Sequence, residues 1–299
     1  MEAIKVSDDG LVANLYLPAG QGPHPLVIVL SGSDGGVASA SWYGEPLASI
    51  GYAALALAYF AMDGLPLDLV EIPLEYFKRA IDWARKHPAI DGDRIAIIGS
   101  SRGSEAALLA AATYPEIRLV VANVPSHVSW GGIHRVPGTS VAAWSLNGVG
   151  VPFMPLVRPP RDGEAFRGVF EESLRAAGSD RQDAAIPVER VNGPILFVSG
   201  TSDQIWPCTM MAGLAVERLR RHAFAFDVEH AQYEDAGHAI LMPTFRMSQV
   251  SNAWPASSYH QPAWAARQGL PQMGGTPEGN RLARMNAWPR MLEFLRRHL

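Results

Sequence analysis

Cysteine is nearly absent: Cys208 is the only one in 299 residues. One thiol cannot form an internal disulfide or a cysteine-based zinc cluster, and it points to a reducing compartment, read here as the cytoplasm. Excess charge is lacking too. With 25 basic and 29 acidic residues and a formal charge of -4, the chain has no basic surplus of the kind a nucleic-acid binder carries. No apolar run is long enough to span a bilayer, and the first residues are acidic where a signal peptide would have its apolar core, so no membrane partner is expected. Internal repeats, charged tails and low-complexity tracts are missing. There is no Gly-x-Gly-x-x-Gly, no Walker sequence and no His-Glu-x-x-His, so neither a nucleotide cofactor nor a metal is expected.

What is present suits an enzyme of one large domain over residues 1–299, with 48% of residues hydrophobic. β-like runs alternate with helical ones, which predicts an α/β fold with a mainly parallel sheet covered by helices. Strands are expected at Ala13–Leu17, Leu26–Leu30, Ala53–Ala58, Arg94–Gly99, Leu119–Asn123, Ile195–Gly200 and Phe226–Tyr233. Several are apolar throughout, as strands buried on both faces should be. Helices are expected at Ser41–Ile50, Leu69–Lys86, Gly103–Tyr114, Thr209–His222 and Arg281–His298. Two regions break the alternation. Residues 124–190, with one good helix in "GEAFRGVFEESLRAAG", read as a cap inserted over a site, and residues 242–280 read as a long functional loop.

The stretch "RIAIIGSSRGSEAALLA" holds a strand, a Gly-x-Ser-x-Gly sequence and a helix in that order. Gly99 and Gly103 flank Ser101 and let strand and helix approach around a sharp turn that pushes its hydroxyl outward as a nucleophile. Ser100 belongs to the strand side, and Ser104 to the first turn of the helix, where its hydroxyl can satisfy an orphan N–H.

A serine hydroxyl needs a base, and the base needs an acid to orient it. Both should follow the serine, acid first, at the ends of later strands. Asp203 follows "PILFVSG" directly, although an aspartate there can also form a turn, and His238 lies in the loop "EDAGHAI". His260 in the late loop is the main competitor. His24, His87, His127, His134, His222, His230 and His298 precede their partners in sequence or sit in strands and helix ends.

An oxyanion needs backbone N–H donors, expected from Arg102 after the nucleophile and from Ser33 in "LSGSDGG". Asp34 should point away, because its charge would oppose the oxyanion. Trp130, Trp144 and Trp206 are candidates for lining an acyl pocket, although a packed aromatic can equally anchor the core; Trp206 and Trp130 are the substrate-binding candidates. Arg158, Arg161 and Arg167 could meet a phosphate-bearing substrate, though solvated surface arginines are commoner. Cys208 lacks an elbow and reads as a small packed residue.

The segments "IGSSRGSEAALLAA", "VVANVPSHVSWGG", "VERVNGPILFVSGTSDQIWP", "EDAGHAI" and "GGTPEGNRLARMNAWPRMLEFL" are similar, in order, to the carboxyl-terminal catalytic domain of acyl-CoA thioesterases and bile acid-CoA:amino acid N-acyltransferases, within the α/β-hydrolase superfamily. The resemblance implies a thioester hydrolase with Ser101, Asp203 and His238 as its triad, working through an acyl-enzyme without a cofactor. Two departures are expected to matter. Ser101 stands where the amino-acid transferases carry cysteine, which favours water as acceptor, and the chain leaves no room for the separate amino-terminal β-sandwich of larger members. A carboxylesterase or dienelactone-hydrolase-like enzyme for small esters is the alternative; an acyltransferase or a non-catalytic binding protein fits less well.

Overall fold

The computed structural model describes residues 2–134, 140–161, 164–178, 181–243 and 273–299. Eight strands form one sheet: β1 (Ile4–Val6), β2 (Val12–Tyr16), β3 (His24–Leu30), β4 (Ala53–Ala58), β6 (Ile90–Ser100), β7 (Ile117–Asn123), β10 (Ile195–Gly200) and β11 (Val228–Tyr233). Their order is β1-β2-β4-β3-β6-β7-β10-β11. β1, β2 and β4 pair antiparallel in turn, and every later pairing is parallel. β5 (Ile72–Pro73), β8 (Trp144–Leu146) and β9 (Val149–Gly150) make a small separate sheet that ties the insertion to the body.

Burial on both faces explains the apolar strands. In β3, Leu26, Ile28 and Leu30 face one core while Val27 and Val29 face the other, as the two-residue period requires. The first core is closed by α3 (Glu75–Lys86), which buries Tyr76, Phe77, Ala80, Ile81 and Ala84 along one stripe, and by the alanine-rich α4 (Arg102–Thr113). On the second face lie α1 (Ala38–Ser41), α2 (Gly44–Ala48) and the last helix of the chain, Pro277–His298, whose Trp288, Met291, Phe294 and Leu295 are buried.

Two expected helices begin or divide differently. Helix α3 starts at Glu75, not Leu69, because Leu69 bridges Ile133 and Ile72–Pro73 pairs with β8; a proline there cannot donate an intrahelical bond. The expected Ser41–Ile50 helix is two short pieces, α1 and α2. In the insertion, α5 (Phe166–Ala177) forms where the helical stretch predicts it. It is followed by α6 (Cys208–Arg221) after β10 and by α7 (Pro277–His298). Most of the late loop, including His260, lies outside the described residues.

Candidate active site

The turn between β6 and α4 is strained at one residue. Ser101 has φ 56° and ψ -121°, a left-handed conformation that costs energy in a residue with a Cβ. Its glycine neighbours show why the strain is held. A Cβ on Gly99 would sit 2.0 Å from the Gly103 carbonyl oxygen, and one on Gly103 would sit 2.2 Å from the Ser31 oxygen. Strand, helix and the loop after β3 therefore meet with no side chain between them. The Ser101 N–H donates to the Asn123 carbonyl at 3.0 Å, and its Oγ has no partner among the described residues. Ser104 differs from expectation in detail: its hydroxyl donates back to the Ser101 carbonyl at 2.6 Å and satisfies an acceptor, not an N–H. Ser100 Oγ accepts from Asn123 Nδ2 at 3.1 Å.

Asp203 follows β10 and is fully buried. Its Oδ1 accepts the N–H groups of Ile205 (2.8 Å) and Trp206 (3.3 Å), so it forms the turn an aspartate can form in this position. Its Oδ2 is 2.7 Å from His238 Nδ1. The other ring nitrogen, Nε2, is buried without a partner among the described residues. His238 and Ser101 line the same pocket, about 120 Å³ in volume among the described residues. No hydrogen bond joins Ser101 Oγ to His238 Nε2, an arrangement common where the substrate completes the geometry.

The loop after β3 lies over the elbow. Tyr59 donates its hydroxyl to the Ser31 carbonyl at 2.7 Å, and Ser31 donates to the Gly36 carbonyl at 3.0 Å. Among the described residues the N–H groups of Ser33 and Arg102 have no acceptor, which leaves both open to an oxyanion. Asp34 is a correction. It lines the pocket with Ser101 and does not turn away. Its Oδ2 accepts the Ser39 hydroxyl at 2.5 Å. Burial raises the carboxyl above its ordinary range, against the opposing hydrogen bonds from Ser39 and the backbone of Asp34 and Gly32.

The tryptophans stand behind this pocket. Trp42 and Tyr43 are on its wall, while Trp130 and Trp206 are not. Instead Trp130 meets Phe170 of α5 at 4.6 Å, Phe170 meets Trp206 at 5.6 Å, and Trp206 meets the His238 ring at 5.9 Å, all edge to face. This relay packs the inserted helix against the histidine. Cys208 is buried, and burial together with the nearby Asp203 charge holds its thiol well above the ordinary range, where it stays protonated. Two of the insertion's three candidate arginines are engaged: Arg158 pairs with Glu164 and Glu172, and Arg167 pairs with Glu171 and donates to the carbonyls of Thr201 and Asp203.

A family model described as BAAT / acyl-CoA thioester hydrolase C terminal matches residues 72–299, the span that holds Ser101, Asp203 and His238. The chain belongs to this family. Acyl-coenzyme A thioesterase 6 of Homo sapiens is 29% identical over 292 residues, covering 96% of this chain and 63% of its own length. Acyl-coenzyme A amino acid N-acyltransferase 2 of Rattus norvegicus is 32% identical over 300 residues, covering 95% and 63%. The chain thus spans a little under two thirds of these relatives. A solved dienelactone hydrolase-like promiscuous phosphotriesterase from metagenomic libraries superimposes with a TM-score of 0.58 at 16% identity, covering 99% of this chain and 98% of that one. The fold is that of the α/β hydrolases.

Two parts of this BAAT / thioester hydrolase domain carry positions that the sequence reading left without a role. Gly274 and Gly275, at φ 78° and 75°, thread between the acid and histidine loops, where Asp203 bridges Gly274 and Ala236 bridges Gly275. Asn280 Oδ1 then accepts the Gly237 N–H at 2.8 Å, and the Met273 carbonyl accepts the His238 N–H at 2.8 Å. A Gly-Gly pair before a Thr-Pro helix start was the available signal. The second part is a buried ion pair. Arg102 Nη1 is 2.9 Å from Glu105 Oε1, and Arg102 Nη2 donates to the carbonyls of Trp130 and Gly131. Glu105 Oε2 accepts from the Trp130 N–H and the Trp144 indole, both at 3.1 Å. Burial outweighs the pairing and pushes the Glu105 carboxyl up to about 7.

Proposed function

We propose that the chain is a serine-dependent hydrolase of acyl thioesters, with acyl-CoA as the substrate class. The observation that carries this reading is the strained Ser101 opening into one pocket with His238, whose Nδ1 is held by the buried Asp203. Ser101 Oγ attacks the carbonyl carbon and its proton passes to His238 Nε2. The N–H groups of Ser33 and Arg102 hold the oxyanion. As the C–S bond breaks, His238 returns the proton to the departing thiolate, and water, deprotonated by the same nitrogen, releases the acid. The whole chain acts as one catalytic unit with residues 124–190 as its cap, and a single buried, free Cys208 suits a cytoplasmic setting.

A second reading, an esterase for small oxyesters, draws on the cap: Arg158 and Arg167 are occupied by carboxylates and backbone, which leaves them unavailable to CoA phosphates. One experiment addresses both. The protein is labelled with a fluorophosphonate probe, the adduct is mapped by mass spectrometry, and kcat/KM is compared for one acyl group as a CoA thioester and as an oxyester. The expected result is an adduct on Ser101 and a preference for the thioester. An adduct on Ser100, Ser104 or Cys208 overturns the nucleophile, and a preference for the oxyester overturns the thioesterase reading.

A further inference from the structure

Leu30, Ala40, Trp42 and Ile240 give the pocket beside Ser101 an apolar lining, which is all that a plain acyl chain requires. Two acceptors interrupt it. Asp34 brings a carboxyl to the wall, anchored through Oδ2 by Ser39. Asn123, 4% exposed and on the same wall, donates through Nδ2 to Ser100 and leaves Oδ1 buried without a partner. Buried acceptors without donors are rare in folded proteins, and this one stands beside the pocket.

Gly32 sets the distance from the nucleophile. A Cβ there would lie 3.2 Å from Ser101 Cβ and 3.4 Å from Asp34 Oδ1. Nucleophile and carboxyl therefore flank one glycine, and a group near the carbonyl of a bound acyl chain comes within reach of Asp34. At about 120 Å³ the pocket has room for the acyl carbons next to the carbonyl. We propose that this pocket is a subsite for short hydroxylated acyl groups, whose hydroxyl donates to Asp34, and that acyl groups ending in a carboxylate are turned away. A hydroxyl can donate to the Asp34 carboxyl whether that group is ionised or protonated, whereas a second carboxylate would crowd two acids of like charge into one half-buried pocket. The inference rests on the acyl-transfer reading above and not on the identity of the leaving group.

The test offers butanoyl, 3-hydroxybutanoyl and succinyl groups to the full chain, each as a CoA thioester and as a 4-nitrophenyl oxyester. In the wild-type protein kcat/KM for 3-hydroxybutanoyl exceeds that for butanoyl by about tenfold or more, and succinyl is the poorest of the three. Asp34→Ala brings the hydroxybutanoyl-to-butanoyl ratio to within about threefold of one. Asp34→Asn, which keeps an acceptor for Ser39, retains part of the hydroxyl preference and loses the discrimination against succinyl. A wild-type ratio near one, or a ratio that Asp34→Ala leaves unchanged, overturns the proposal, and the wild-type panel decides it even if a variant fails to fold. Turnover of oxyesters alone, with the hydroxyl preference intact, refutes the thioesterase reading and supports the subsite. Turnover of thioesters without that preference does the reverse, and no turnover in either series refutes both.

Discussion

His238 Nδ1 lies 2.7 Å from Asp203 Oδ2, and the same aspartate uses Oδ1 to close the turn that places it there. One carboxylate thus shapes its own loop and fixes the tautomer of the histidine, with the proton on Nδ1 and Nε2 free to accept. Asp203→Asn keeps a turn acceptor and loses the carboxylate that imposes this tautomer. It should lower kcat by roughly 10³–10⁴-fold with little change in melting temperature. Steady-state kinetics, with thermal melts beside them, check this. Near-wild-type activity of His238→Ala would transfer the role of base elsewhere.

The elbow predicts intolerance at Gly103. The Cβ of Gly103→Ala would meet the Ser31 and Leu30 carbonyl oxygens at 2.2 and 2.9 Å, so this smallest of changes should destabilise by roughly 1–3 kcal/mol or more. Gly213, in α6 and exposed with open space around it, is the control: Gly213→Ala should stabilise by up to about 1 kcal/mol. Chemical denaturation of the two variants measures the contrast.

Glu105 makes stability depend on pH. Its folded-state value is pushed up to about 7 from 4.5, so between those values the native protein binds more protons than the unfolded chain. The stabilisation is complete below about 4.5 and is lost as pH rises through about 7. Glu105→Gln, which is close in shape to the protonated acid, should abolish this slope while Arg102 keeps its bonds to the Trp130 and Gly131 carbonyls. Denaturant midpoints taken every half pH unit show whether the slope disappears.

Acceptor choice can be read from products. A serine ester is less reactive toward amines than a cysteine thioester, so the unmodified enzyme should release free acid even with glycine or taurine present. Ser101→Cys should still form an acyl-enzyme, because the same histidine can deprotonate a thiol, and it should divert a fraction to the amide. Chromatography of both reactions settles the point, and a predominant amide from the unmodified enzyme would make it a transferase.

Much of the frame follows from local pattern. Ala53–Ala58 and Ile195–Gly200 coincide with β4 and β10 end to end, because continuous apolar runs of that length have only a doubly covered sheet in which to bury both faces. The glycines of the elbow and the order of Ser101, Asp203 and His238 were legible for a related reason: a sharp turn after a strand demands particular residue types at a particular spacing. Short edge and insertion strands such as Ile4–Val6 and Trp144–Leu146 were not, since three residues hold too little periodicity to register. Tertiary structure alone decided the rest. Asp34 lines the pocket and accepts from Ser39, Arg102 and Glu105 find partners some 25 to 39 positions away in Trp130 and Trp144, and Asn280 reaches back to the histidine loop. Contacts of this kind depend on where folding places distant segments. A polar side chain reads identically in sequence whether it ends up solvated or buried, and only the packed chain determines which.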